Sequence, residues 1–533
     1  MARNATRLLA RFIAYLQQVL LLLRSALTKA TIPGSLYQSM VANSGKSWFV
    51  PVGSLRNRSV GLLALGLLLN VTQVQAQGTL PLQKGMAVLS CFSGIAPNSS
   101  DGNTQNPNGP VLAIFDIRDP QGNGAPFSPV NIWAAPTTGA YHPANWSAAN
   151  MGELFGVALE EGATSPAIFA STTGITATAI MNLAPKTGGT GGEVFRVNGT
   201  TGAVTTLATL PNTTYNFSGA STVFTRYVGL GDITYNRTHN VVYVSNLDNG
   251  LVYAINATTG ALLGTPFNHN TALADNTSLP FTQFERMVFG VVYRVEDNKL
   301  YYAVKAPGPN SNSFLNDNQI YTVNINPDGS INAATKSATP VITFSPTNGG
   351  YGNMVSDMAL SSNGSQMLIS EMNLEYQTDG AVTALRKQAH NANVYKYSYA
   401  GGAWAQSLSY VGQIGVFGSV RGNSAGGVDF GFNNYGANGA GTNRDDAAVI
   451  TADQVLSLPG QQGFGFQISN IVSPNTYATS YVVDLDGATG IGDNDKFTSG
   501  DIEVFGDIFD CPTITNPSVA QAFAKATQVV TLQ

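Results

Sequence analysis

The sequence predicts an all-β chain folded as a β-propeller of four-stranded antiparallel blades. Three observations predict it. The composition is poor in charge and rich in glycine. A four-strand unit recurs in one order along the chain. Apolar runs at the two ends of the repeat region lack partners of their own.

The chain has 533 residues, 43% hydrophobic and only 11% charged, with 57 Gly and 25 Pro. Charge at less than half the usual quarter argues against a coiled coil, a long helical bundle or a nucleic-acid binder. Disorder is also excluded, because 25 Phe and 21 Tyr supply ample core-forming surface. Abundant Gly, Asn and Thr point instead to many tight turns between short strands.

The clearest unit starts at Gly229: GLGDITY, turn NRTHN, VVYVSNL, turn DNG, LVYAINA, turn TTG, ALLGTPF. Apolar and polar positions alternate along each run, as in a sheet packed between two others. The order returns over 153–210 (ELFGVALE, AIFASTT, GEVFRVNGTTG, AVTTLATL), over 285–344 and over 354–416, and a fifth unit begins at SAGGVDFGFNN. A parallel β-helix would need shorter repeats, and sandwich strands would not recur in the same four-part order. At the N-terminal end PVLAIFDIR and NIWAAP lack their first two partners. FGFQISNI, TSYVVDLDG and GDIEVFG are left over at the other end. Joining the ends in one shared blade gives six blades, and keeping them apart gives seven. Six is the favoured count.

Residues 1–76 carry eight Arg or Lys and no acid. Arg56 and Arg58 precede an apolar run from Val60 to Leu69, then Val74-Gln75-Ala76, small residues at the −3 and −1 positions of a secretory cleavage site. A run this short cannot cross roughly 30 Å of hydrocarbon. We therefore expect a leader and signal peptide over 1–76 with cleavage after Ala76, one propeller domain over 77–511 and a tail over 512–533. The Arg-interrupted apolar stretch from Leu8 to Leu27 leaves the role of residues 1–50 open. The mature body, near −13, would be repelled by nucleic acid and anionic lipid. A secreted, extracellular or cell-surface protein is expected, with no integral membrane span in the mature chain.

Export gives the cysteines meaning. Cys91 and Cys511, the only two, lie at opposite ends of the mature chain, and an oxidising compartment favours a disulfide between them. Four scattered histidines offer no zinc spacing.

Residues 151–505 resemble a β-propeller region found in secreted bacterial surface proteins, often preceding SdrD B-like (serine-aspartate-repeat type) modules. The resemblance rests on MGELFGVAL, GGEVFRVNGTTGAV, GLGDITYNRTHNVVYVSNLDNGLVYAINATTG, SDMALSSNGSQMLISE and SAGGVDFGFN. It implies the architecture and brings no catalytic residue with it. No sorting motif and no B-type module stand after residue 511 in the sequence.

Two acidic sets are candidate metal sites. Glu153, Asp232, Asp357 and Asp429 each stand near the first, innermost strand of a blade, with Glu285 as a fifth. Equivalent blades would bring them towards the central channel, where carboxylates could hold calcium, the one cofactor this sequence suggests. The alternative is structural: each accepts backbone hydrogen bonds and fixes its strand. Asp429 is offset by one position from Asp232 when the neighbouring glycines are aligned, which would reverse its facing. Asp484, Asp486, Asp493 and Asp495 lie on a Gly-rich turn, but their spacing misses the EF-hand loop, and a solvated turn explains them equally. Gly422-Asn423-Ser424-Ala425-Gly426 matches G-x-S-x-G, yet the residues after Ser424 read as a strand and no histidine comes later, so a hydrolase elbow is not expected. Nine N-x-S/T sequons fall mostly at turns.

No catalytic set emerges, so the first reading is a binding or scaffolding module whose partner is an extracellular protein, a glycan or another copy of itself. A calcium-dependent hydrolase or lactonase using the channel carboxylates is the second. A structural subunit of an extracellular assembly, joined through the tail, is the third.

Overall fold

Asn198-Gly199-Thr200-Thr201-Gly202 and Asn256-Ala257-Thr258-Thr259-Gly260 fold into the same turn in consecutive blades. The first Asn Oδ1 accepts the N–H groups of both threonines at 2.9 Å, and the second does so at 3.0 and 2.8 Å. The closing Gly N–H donates to the Asn carbonyl at 2.8 and 2.9 Å. Gly202 and Gly260 sit at φ of +69° and +73°, the left-handed region where a Cβ is penalised. Local side-chain chemistry thus returns the chain at the end of each third strand.

The computed structural model describes residues 82–506, apart from stretches within the connecting loops. The leader, the cleavage point, Cys511, the tail, and Asp486, Asp493 and Asp495 lie outside the described residues. Six sheets, antiparallel apart from one edge strand, form the propeller, and the chain enters the first five by their innermost strands. Blade one is Leu154–Leu159, Ile168–Thr172, Glu193–Val197 and Val204–Thr209. Blade two is Leu230–Asn236, Val241–Asn246, Leu251–Asn256 and the short Phe267–Asn268. Blade three runs Val291–Arg294, Lys299–Lys305, Asn318–Ile325, with Ile331–Asn332 and Ile342–Phe344 along its outer edge.

Blade four is Gly352–Leu360, Gln366–Asp379, Val394–Ala400 and Ala403–Leu408. Its 14-residue second strand overshoots the sheet, and Val382–Lys387 folds back on the excess as a hairpin. Blade five is Ser424–Gly431, Ala447–Leu458, Gln461–Asn470 and Tyr481–Asp484. The G-x-S-x-G serine therefore opens an innermost strand, as expected, and is not on a helix-entry elbow.

Blade six is made from both ends of the chain. The C-terminal Ser499–Val504 is innermost, followed outward by Ala87–Cys91, Leu112–Phe115 and Ala140–Tyr141. The shared blade and the count of six hold. The assignment of strands to it is corrected: FGFQISNI and TSYVVDLDG, left over with GDIEVFG, supply the third and fourth strands of blade five, and Asn131–Ala134, from NIWAAP, pairs in parallel with Tyr481–Asp484 as that blade's fifth strand. N-terminal strands thus join two neighbouring blades, and separating them would break two sheets.

Between blades the cores are sheet-on-sheet. Blades one and two, for example, share Phe169, Val194, Ile233, Val242, Val244 and Ile255, all buried. At roughly 25 cal/mol per Å² of buried apolar surface, such layers dominate stability.

Candidate functional site: the axial channel

An innermost strand has a free edge, and its N–H groups would face the channel unpaired. This chain satisfies them with side chains from the preceding blade. Asp501 Oδ2 accepts the N–H of Val157 at 2.8 Å, Asp232 Oδ2 that of Val291 at 2.8 Å, and Asp357 Oδ2 that of Val428 at 2.6 Å. The second oxygens of Asp232 and Asp501 accept the N–H of the next residue in their own strands, both at 2.7 Å. One layer further along the strands, Thr234 Oγ1 accepts from Tyr293 at 3.3 Å and Asp429 Oδ2 from Val504 at 2.7 Å.

Superposing these bonds aligns the blades. The first layer reads Gly156, Asp232, Gly290, Asp357, Gly427, Asp501 around the ring. Glycine and aspartate alternate, giving the six blades a three-fold pattern. Two of the glycines, Gly156 and Gly427, are required by approach. A Cβ on Gly156 would lie 2.9 Å from Asp232 Cα, and one on Gly427 would lie 2.6 Å from Asp501 Cα. Blades one and two, and blades five and six, therefore touch backbone to backbone, while blades two and three, four and five, and six and one are bridged by a carboxylate. Serines one strand outward add to this: Ser171 donates to the Gly231 carbonyl at 2.7 Å, Ser245 to that of Phe289 at 2.6 Å and Ser90 to that of Phe155 at 2.5 Å.

The three first-layer aspartates are buried and bring carboxylate oxygens within 4.8 Å of one another. Burial, and then the charge of Asp501, pushes Asp232 and Asp357 well above the usual carboxylate range. Asp357 hydrogen-bonds Asp501 as the protonated partner, and burial still raises Asp501 to about 6. Asp429 is raised by burial and held back by Arg444, whose Nη2 lies 3.2 Å away.

The candidate residues thus separate. Asp232 and Asp357 meet as expected. Asp429 faces the channel, one layer up: its true offset from the first layer is two residues, because Gly427, and not Val428, holds that position. Glu153 does not join them. It accepts Ser93 N–H at 2.8 Å, Ser93 Oγ at 2.5 Å and Gln105 Nε2 at 2.9 Å, anchoring the segment after Cys91. Glu285 stands in a turn before blade three, where Gly290 holds the axial position. The sequence reading missed Asp501, although GDI in TSGDIEVFGD repeats GDI in GLGDITY. Asp484 lies in the fourth strand of blade five, away from the innermost strands.

Above the aspartates the channel widens into a well of about 400 Å³ lined by all six inner strands, with Arg237, Glu296, Asn363 and Arg444 towards its rim and Asp357, Asp429 and Glu503 along its wall. At the opposite end, where the inner strands begin, Phe92, Phe155, Phe289, Met354, Leu374 and Leu385 pack into one apolar cluster. The blade-four hairpin supplies Leu385 to it and ends in Lys387. That lysine is fully buried, 3.0 Å from Asp453 and 2.8 Å from the Ser499 carbonyl. Among the described residues the channel therefore ends on an apolar cluster and opens at the other end on a polar mouth.

Fold and channel together define the chain as a six-bladed β-propeller. It matches no family model and no curated protein, so the SdrD B-like resemblance is supported at the level of the propeller alone. Among solved structures it is similar to a chain in a crystal structure of a nidogen/laminin complex, at 8% identity over 78% of this chain and 97% of that one, with a TM-score of 0.38. It is also similar to the β-propeller domain of Cps50 (Swd1) from Myceliophteria thermophila, at 8% identity over 75% and 87%, TM-score 0.33. A protein from Lactobacillus plantarum is similar at 8% identity over 79% and 99%, TM-score 0.30.

Proposed function

We propose that this chain is a secreted, non-catalytic binding propeller that takes its ligand, an extracellular protein or glycan, at the mouth of the axial well. The observation that carries this reading is the well itself: a polar opening contributed by every blade, above carboxylates already engaged by backbone N–H groups. A general base must reach a substrate proton, and a carboxylate bonded on both oxygens inside a packed channel is poorly placed for that. Secretion is supported by the leader sequence alone. The test is an array of extracellular glycans and matrix proteins probed with the full chain and with Glu296→Arg/Asn363→Arg, which crowds the rim. Binding by the first and not the second supports the reading. Binding unaffected by the rim change would move the site elsewhere on the disc, and no binding at all would remove the proposal.

A metal-dependent hydrolase remains the second reading, favoured by the oxygens of Asp232, Asp357 and Asp501 lying within 4.8 Å of one another. Calcium there would take oxygen ligands from these residues and polarise an ester oxygen in the well. Metal analysis of purified protein, with thermal unfolding before and after EDTA, separates the two. A metal-free protein indifferent to EDTA and calcium eliminates the hydrolase.

A further inference from the structure

The two sides of the well differ in chemistry. Two residues beyond the first layer, the inner strands line it with Ala158, Thr234, Val292, Ala359, Asp429 and Glu503. Blades one, three and four thus supply aliphatic groups, and blade two supplies the methyl and hydroxyl of Thr234. Val295 and Leu360 carry this apolar arc towards the mouth. Blades five and six face it with two neighbouring acids.

The charged groups of the well are engaged within the chain. Arg444 Nη2 lies 3.2 Å from Asp429 Oδ2, and Glu503 donates a hydrogen bond to Asp429. Towards the rim, Glu296 lies 3.7 Å from Arg294, and Arg237 also has its own partner. A charged ligand group entering here would have to break one of these pairs or stay without a counter-ion, and either weakens binding. A wholly apolar group would strip water from the acid pair and replace none of its hydrogen bonds. The wall matches a neutral ring with an aliphatic face and hydroxyl edges. Carboxyl oxygens accept more than one hydrogen bond, so the acid pair can take ligand hydroxyls as well. Across the ring, Thr234 Oγ1 accepts the Tyr293 N–H at 3.3 Å, which leaves the hydroxyl proton to donate.

We propose that the well takes the terminal sugar of an uncharged glycan. Its aliphatic face lies against blades one, three and four, and its hydroxyls meet Asp429, Glu503 and Thr234. The volume of about 400 Å³ falls in the range of small-ligand sites. This inference rests on the binding role proposed above and narrows its ligand from any extracellular protein or glycan to a neutral saccharide.

The test is saturation-transfer NMR on the full chain in chelating buffer. The probes are the methyl glycosides of glucose, galactose, mannose and N-acetylglucosamine, with glucuronic acid and glucosamine as charged counterparts. At least one neutral glycoside should bind, and both charged sugars should bind about tenfold more weakly or worse. Val292→Phe, which fills the apolar arc, should weaken the neutral glycoside about tenfold or more. Should that variant not fold, the charge comparison in the parent decides. No binding of any neutral glycoside at millimolar concentration, equal binding of the charged sugars, or binding unchanged in Val292→Phe overturns the proposal. If every glycoside is silent while a matrix protein still binds in a rim-dependent way, the saccharide falls and the binding well stands. If a glycoside binds but neither the rim change nor Val292→Phe affects it, both fall.

Discussion

Asp501 Oδ2 accepts the backbone N–H of Val157 at 2.8 Å, across 344 positions of chain. Asp501 lies in the last strand of the propeller and Val157 in the first blade, so one carboxylate ties the C-terminal strand directly to the blade that the N-terminal strands of blade six lead into. Replacing Asp501 with Ala strands two buried N–H groups, those of Val157 and Ile502, and should destabilise the fold by about 2–4 kcal/mol. Asn retains one acceptor and should lose less. Denaturation midpoints of the two variants check this, and an alanine no worse than the asparagine would refute the staple.

Gly427 and Gly401 give a paired test of approach against conformation. A Cβ at Gly427 would sit 2.6 Å from Asp501 Cα, whereas at Gly401 it meets nothing within 4 Å and faces only a φ of +61°. Gly427→Ala should cost about 2–3 kcal/mol through forced separation of blades five and six. Gly401→Ala should cost about 1 kcal/mol. Thermal shifts of similar size in both would contradict the close packing on the axis.

Lys387 and Asp453 form an ion pair with both side chains fully buried, at the base of the hairpin over the apolar end of the channel. Lys387→Met leaves Asp453 without its cation in a dry site and should destabilise by roughly 3–5 kcal/mol. The double change Lys387→Met/Asp453→Leu removes both charges and should recover most of that loss. Guanidinium unfolding of the three proteins provides the comparison; a double variant as weak as the single would mean that packing, not charge, is decisive.

A disulfide between Cys91 and Cys511 is the fourth expectation. Register pairs Cys91 with Ser499 and Ala87 with Val504, so the chain leaves its last strand at the end away from Cys91. Pairing alone does not bring the cysteines together. The segment to Cys511, about seven residues and up to roughly 23 Å when extended, must return along a strand interval of about 13 Å. Alkylation of the unreduced, denatured protein followed by intact mass should show no free thiol, and Cys91→Ser should lower Tm. Two alkylated cysteines would rule the bond out.

The glycosylation signals show how a local motif depends on its setting. Asn198 and Asn256 sit in matching turns, as the sequence suggests, and their Oδ1 atoms cap threonine N–H groups. Asn236 carries the same N-x-T signal, yet it is fully buried, with its amide donating to Tyr243 Oη at 3.0 Å. Only the packing of blade two against blade three distinguishes them.

By itself the sequence determined most of the strands, the four-strand order and a closing blade shared by both chain ends, and it favoured six blades over seven. Those features arise from alternating burial and from turn residues whose preferences act within a few positions, as in Asn-x-Thr-Thr-Gly. Tertiary structure alone decided which acids meet. Asp232, Asp357 and Asp501 lie more than a hundred residues apart, and Glu153 looked equivalent to them until strand register placed it three residues before Gly156. The same holds for the departure of Asn131–Ala134 to blade five. The physical reason is shared. Facing towards the axis depends on register between blades, and a shift of one residue reverses every side chain, whereas apolar alternation reads almost the same from either starting point.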